Sequence, residues 1–278
     1  MLPMVQQNNN LFNFNSSQLD SLENLHQTCG YEEFFSKYFS FPAAGVQPPL
    51  LFNYSDPANQ TCDIFDTVLF DTFNNNPCSS VYDITSNCPI LTDVLGFPST
   101  LMAPVLGSVY FDRPEVKTAM HAPNITWTLC SANPVYVGGS GGPEQEGDLS
   151  ADPIHHVLPK VIEHTNRVLI SNGDYDMVVQ TNGTLLSIQN MTWNGILGFE
   201  QRPSMPINIQ IPDLAYTQLF NDNGLNGADG PQGTMGIQHY ERGLMWAETF
   251  QSGHEQPQNQ PRVSYRHMQW LLGQIETL

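Results

Sequence analysis

His254 stands in Ser252-Gly253-His254-Glu255-Gln256-Pro257, directly after an apolar run, Leu244 to Phe250, that reads as a strand. Upstream, Asn172-Gly173-Asp174-Tyr175-Asp176 ends another strand-like run, Arg167 to Ser171. An imidazole and a carboxylate, each on a Gly turn past the C-terminal end of a strand, are placed where open α/β sheets put functional groups. Such a pair can act as a general base and the acid that orients it. The acid holds the histidine tautomer and stabilises the imidazolium that forms when the base deprotonates a nucleophile. Asp176 and His254 come in the order expected of the last two members of a Ser…Asp…His series.

Each residue has a plainer alternative. Asp176 could be a turn aspartate, since Gly-Asp-x-Asp is good turn chemistry. Asp174, inside the turn, is the better candidate for bonding backbone N–H groups. His254 is one of eight histidines, but its Gly-His turn, the prolines at 257 and 261 and the helical pattern that follows separate it from His155, His156 and His239. No His/Cys/Asp/Glu group has metal-ligand spacing, and no cofactor is implied. The nucleophile is the gap. Gly138-Gly139-Ser140-Gly141-Gly142 matches G-x-S-x-G in letters only. A nucleophile elbow needs a buried strand before it and a helix after it, whereas Ser140 lies in a Gly-rich run leading to Pro143-Glu144-Gln145-Glu146-Gly147. Ser140 reads as a surface loop.

The elements that must position these residues occupy the second part of the chain. Residues 1–100 read as short helices and loops, with a helix start at Ser17-Gln18-Leu19-Asp20, candidate helices over Tyr31–Phe41 and Cys62–Phe73, and a Pro-rich connector between them. Asp112-Arg113-Pro114-Glu115 has the form of a capping box opening a helix to His121. Thr184–Trp193 is expected to be helical, Gln201–Asp213 alternates loosely through three prolines, and Asn221–Gly236 is Gly- and Asn-rich. Pro261–Leu278 is expected as a closing helix with Val263, Trp270, Leu271 and Ile275 inward.

With 278 residues the chain can bury a sizeable core. Nine basic against 27 acidic residues give a net charge of −18, which argues against nucleic acid and anionic membrane surfaces as partners. No run of 18 apolar residues offers a membrane span. Six N-x-S/T sequons (Asn15, Asn53, Asn59, Asn124, Asn182 and Asn190) point to a secretory route and N-glycosylation. Of the five cysteines, Cys78 and Cys88 are close enough for a local disulfide and Cys29 with Cys62 is a second pairing, leaving Cys130 over. Met1 to Asn8 has no basic or apolar leader character, so the N-terminus of the whole protein is expected upstream of Met1.

Taken in order, Tyr110-Phe111-Asp112-Arg113-Pro114-Glu115-Val116-Lys117, Trp127-x-x-Cys130, Arg167-Val168-Leu169-Ile170 with Gly173-Asp174-Tyr175-Asp176, and Gly253-His254-x-x-Pro257-x-x-x-Pro261 resemble the secreted fungal serine carboxypeptidases of the α/β-hydrolase fold. Cys88 to Pro98 is similar to the same branch, and the resemblance runs over essentially the whole chain. It implies an α/β fold: residues 1–105 as a helical insertion or cap, and residues 106–278 as the C-terminal part of the hydrolase core. It implies Asp176 as triad acid and His254 as base. Val179 and Glu255 map to positions lining the pocket for the substrate's C-terminal side chain. An apolar residue is usual after the histidine, so Glu255 departs from the pattern and would favour a basic C-terminal residue.

The family's nucleophile elbow, oxyanion hole and carboxylate clasp lie upstream of the insertion, and so does the partner of Cys130. The chain is therefore expected to correspond to the C-terminal half of a secreted or vacuolar enzyme acting on peptide or protein C-termini, nearly inert by itself. It would be a piece of one longer polypeptide or one of two chains. The alternative is a non-catalytic remnant that binds peptides or glycans.

Overall fold

The computed structural model describes residues 1–48, 62–86, 110–127, 136, 150–209 and 233–278. They fall into two compact units, Met1–Thr85 with Asp152–Leu278, and Ser86–Ala151. The first unit carries a four-stranded sheet in the order β1-β6-β5-β4, from β1 (Val168–Gly173), β4 (Met205–Ile209), β5 (Gly233–Glu241) and β6 (Leu244–Thr249), and a small hairpin of β2 (Thr192–Trp193) with β3 (Ile196–Leu197). β1 runs parallel to β6, whereas β4–β5 and β5–β6 are antiparallel.

The sequence of β6 explains its central place. Leu244 and Trp246 point into one core with Ile162, Leu185, Ile188, Trp193 and Phe199. Met245 and Ala247 point into another with Ile207, Met235, Val263 and Trp270. A strand apolar on both faces must be covered on both, and helices Leu158–Thr165 and Thr181–Gln189 cover one face while Pro261–Leu271 covers the other. The β5–β6 turn is Arg242-Gly243, both at positive φ, as the two-residue hairpin that matches strand twist requires.

Helices Leu2–Gln7, Asn9–Phe12, Ser16–Thr28, Tyr31–Tyr38 and Ile64–Asn75 precede the sheet in sequence. They bury Val5, Phe12, Leu22, Ile64 and Val68 in a core that includes Ile84 and Met177. Cys29 and Cys62 form a disulfide across 33 residues, a loop whose closure restrains the unfolded chain by about 3–4 kcal/mol. Cys78 is disulfide-bonded as well, while Cys88 and Cys130 lie outside the described residues, as does Ser140.

Several local expectations are corrected. The third helix starts at Ser16, because Asn15 and Gln18 form a reciprocal capping box at 3.0 Å each. In the second unit, helix Pro114–Ala119 has Arg113 at its cap and no capping box. The Asp112 carboxylate instead accepts from Lys117 Nζ at 2.8 Å and from Trp127 N at 2.7 Å, and the Lys117 bond leads in holding its pKa below the usual value. Helix Thr181–Gln189 stops before Trp193, where Asn194-Gly195 turns the β2–β3 hairpin. The closing helix ends at Leu271: Gly273 adopts φ +71°, and the Gln274 and Gly273 amides cap Gln269 and Trp270. Leu271 is therefore exposed, although Ile275 still packs on the core. β4 and β5 carry no clear strand signal in the sequence; β5 mixes glycines, Gln238 and His239 among its apolar residues and reads as loop composition.

Candidate active site

Parallel pairing sets the site. Gly173 at the end of β1 is in register with Thr249 at the end of β6, so the loops after both strands leave the same edge of the sheet, side by side. They are stitched together by Asp174 N to Thr249 O at 3.1 Å, Tyr175 N to Ser252 O at 2.9 Å and Ser252 N to Asp174 Oδ1 at 3.1 Å. Gly173 is needed at this seam, since a Cβ there would sit 2.3 Å from the carbonyl oxygens of Ser252 and Gly253. Asp174 thus ties backbone, and burial, foremost, pushes its carboxyl pKa up.

Two residues further on, the Asp176 side chain is 4% exposed and receives His254 Nδ1 on Oδ2 at 2.7 Å. Its other oxygen accepts the Val178 and Val179 amides at 2.8 and 3.0 Å. Three donors fix the plane of the carboxylate. With Asp176 as acceptor the ring proton belongs on Nδ1, which leaves the lone pair on Nε2. The His254 side chain is 41% exposed, and among the described residues no side chain bonds Nε2. The arrangement can take a proton at Nε2 while the imidazolium that forms is stabilised at Nδ1.

A third segment, absent from the sequence reading, joins the two loops. Met177 N donates to Val81 O at 3.0 Å, His254 N to Tyr82 O at 2.7 Å, and Ile84 N to Tyr175 O at 3.1 Å. The Tyr82 ring stands 5.4 Å from that of His254. Nothing in the pattern around Val81-Tyr82-Asp83-Ile84 marks it, because its contacts use main-chain carbonyls that every residue has.

The remaining candidates are dispersed. Val179 is half-exposed and bound to the site through its amide, and Glu255 stands at the N-cap position of the short helix Gln256–Asn259 next to His254, with no side-chain cap bond. Asn15 and Asn124 are exposed, Asn182 and Asn190 are half-buried, and Asn53 and Asn59 lie outside the described residues. Asn190 Oδ1 accepts from Gln47 N at 2.8 Å. A cavity of about 420 Å³ is lined by Asp174, Asp176, Gln180 and Glu248 among others. Burial raises the pKa of Glu248, and the Asp174 charge adds to this. Among the described residues no group of His, Cys, Asp or Glu side chains could hold a metal ion, and no helix is long and apolar enough to cross a membrane.

Helices on both faces of a sheet whose parallel strand ends deliver a buried carboxylate and an open imidazole define a hydrolase-type α/β protein. Residues 5–274 match the family model described as serine carboxypeptidase, and the chain belongs to that family. It is 64% identical over its whole length to serine-type carboxypeptidase F of Aspergillus niger, covering 52% of that protein. It is 37% identical to a probable serine carboxypeptidase of Arthroderma benhamiae, covering 49% of it. The chain thus spans about half the length of the curated relatives it matches. The crystal structure of Kex1Δp, a prohormone-processing carboxypeptidase from Saccharomyces cerevisiae, superposes with a TM-score of 0.58 over 98% of this chain and 50% of that one. At 20% identity this likeness establishes the fold.

Proposed function

We propose that this chain supplies the acid and base of a serine carboxypeptidase whose serine and oxyanion hole come from polypeptide outside these 278 residues. The observation that carries the reading is the 2.7 Å Asp176–His254 bond with Nε2 left open. In this reading His254 Nε2 takes the serine proton as the hydroxyl oxygen attacks the last peptide carbonyl. The protonated ring then gives that proton to the departing amino acid nitrogen, leaving an acyl-enzyme. Water, deprotonated by the same nitrogen, completes hydrolysis. Asp176 keeps the ring oriented throughout.

Val179 and Glu255 line the pocket for the leaving residue, and the Glu255 carboxylate favours a basic side chain there. Residues 1–105 serve as the helical insertion and 106–278 as the C-terminal part of the hydrolase core. Secretion or vacuolar delivery fits the acidic balance and the sequons, with peptide and protein C-termini as substrates.

A fluorophosphonate probe tests the reading on protein from its native source. Label on a polypeptide containing this chain, or on one disulfide-linked to it, is expected. Absence of label on the properly folded protein would remove the catalytic role and leave peptide or glycan binding.

A further inference from the structure

His254 is held by its backbone as well as by Asp176. Its own N–H donates to Tyr82 O at 2.7 Å. The preceding amide, Gly253 N, donates to Asn259 Oδ1 at 3.0 Å. Asn259, the last residue of helix Gln256–Asn259, in turn donates from Nδ2 to Asp83 Oδ2 at 3.4 Å. The other oxygen of Asp83 is engaged locally by Thr85 N at 2.9 Å and Thr85 Oγ1 at 2.6 Å, which fixes the direction of the carboxylate. Gly253 lies so close against this segment that a Cβ would fall 2.2 Å from Tyr82 O and 2.6 Å from Asp83 Cβ. Segment 81–84 also bonds the acid loop at Tyr175 and Met177. One short stretch therefore sets the positions of both partners of the dyad.

We propose that Asn259 and Asp83 are positioning residues for His254: the Asp83–Asn259–Gly253 chain of hydrogen bonds fixes where the imidazole meets Asp176. This rests on the reading of Asp176 and His254 as acid and base. The physical reason is geometric. Two consecutive amides, those of His254 and Gly253, flank the Gly253 Cα just before the histidine and are pinned from different directions, by a main-chain carbonyl and by a side-chain amide. Removing one pin frees the Gly253 peptide plane to rotate, and an imidazole displaced by a fraction of an ångström loses alignment with a serine oxygen.

The chemistry of the chain of bonds allows a swap. Asn259→Asp keeps an acceptor for Gly253 N but sets a carboxylate against Asp83. Asp83→Asn keeps an acceptor for Thr85 but sets one amide against another. The double variant Asp83→Asn/Asn259→Asp restores a donor facing an acceptor, with the direction reversed, and a coupled pair is identified by such a cycle.

The first readout is the downfield ¹H resonance of the His254 Nδ1–H in the native-source polypeptide, with folding followed by tryptophan fluorescence. Asn259→Ala and each single swap variant should shift or broaden that resonance, and the double variant should return it. If Asn259→Ala does not fold, the nearly isosteric Asn259→Asp carries the same test. The second readout is activity of the native-source polypeptide: kcat should fall roughly tenfold to a hundredfold in the single variants with KM little changed, and recover in the double. A wild-type resonance that no single variant moves, or single variants that the double does not rescue, overturns the proposal. A wild-type chain with no such resonance overturns the acid–base reading itself.

Discussion

The sheet carries two histidine–carboxylate pairs of the same length, and they differ in everything else. His254 Nδ1 meets Asp176 at 2.7 Å, and His239 Nε2 meets Glu241 at 2.7 Å. Asp176–His254 lies beyond the C-terminal ends of two parallel strands, on loops, with the ring 41% exposed. His239–Glu241 lies within β5, with the ring 13% exposed and edge-on to Phe199. Glu241 is shared with Arg242 and with the Glu200 and Gln201 amides. Burial opposes ionisation of Glu241, but the bond from His239, then those amides and Arg242, outweigh it and lower its pKa. Asp176 serves one ring and two amides of its own loop. A short His–carboxylate distance is therefore no sign of chemistry by itself. What separates the pairs is the exposure of the ring, 41% against 13%, and a carboxylate whose only side-chain partner among the described residues is one imidazole.

The largest expected effect breaks this contrast at the acid. Asp176→Asn in the native-source polypeptide should lower kcat by about 10⁴-fold, as the ring loses its fixed tautomer, whereas Glu241→Gln should leave kcat within about twofold. Steady-state hydrolysis of a blocked dipeptide reads both. Next in size is the seam between the loops. Gly173→Ala has no room for its Cβ and should destabilise the chain by more than about 2 kcal/mol, read from urea unfolding.

Glu241→Gln should register in stability instead, by about 1–3 kcal/mol, since it strips a charge from a half-buried cluster with Arg242. Smaller effects lie in pH dependence. The folded-state pKa of Glu248 is raised, so the stability it contributes is present at low pH and is lost as pH rises through that value. His267 is buried and its pKa is lowered to about 4 by burial. Its contribution is present above the unfolded value of 6.5 and fades as pH falls from there toward 4. Thermal unfolding recorded across pH reads both contributions. Glu248→Gln should flatten the alkaline side and His267→Gln the acid side; profiles unchanged by either variant would contradict the assignment. The smallest change is one of preference: Glu255→Met should move selection from basic toward apolar C-terminal residues, measured by competition between two peptides.

The sequence made the dyad legible because each member sits on a short local signal, a strand running into Gly-Asp-x-Asp and a strand running into Gly-His. The family resemblance added the roles. β6 and the closing helix were legible through their apolar patterns, although the helix end at Leu271 depended on reading Gly273 as a stop. Asn194-Gly195 is a hairpin signal that the helical spacing just before it masks. Segment 81–84 was not legible: it meets both loops through main-chain groups far apart in sequence, and such bonds leave no mark on residue type. Asn259 was not legible because a lone Asn in a polar run does not show which amide its side chain accepts from. β4 and β5 were obscured by glycine, proline and polar residues that edge and hairpin positions tolerate.

The most direct test compares the two histidines in the native-source polypeptide, with kcat/KM on a blocked dipeptide as the readout and unfolding curves recorded alongside. His254→Ala should lose activity by about 10⁴-fold or more with the fold intact, and His239→Asn should lose stability while keeping turnover within about twofold. A His254→Ala protein that still releases C-terminal residues at the wild-type rate would contradict the assignment of His254 as the base.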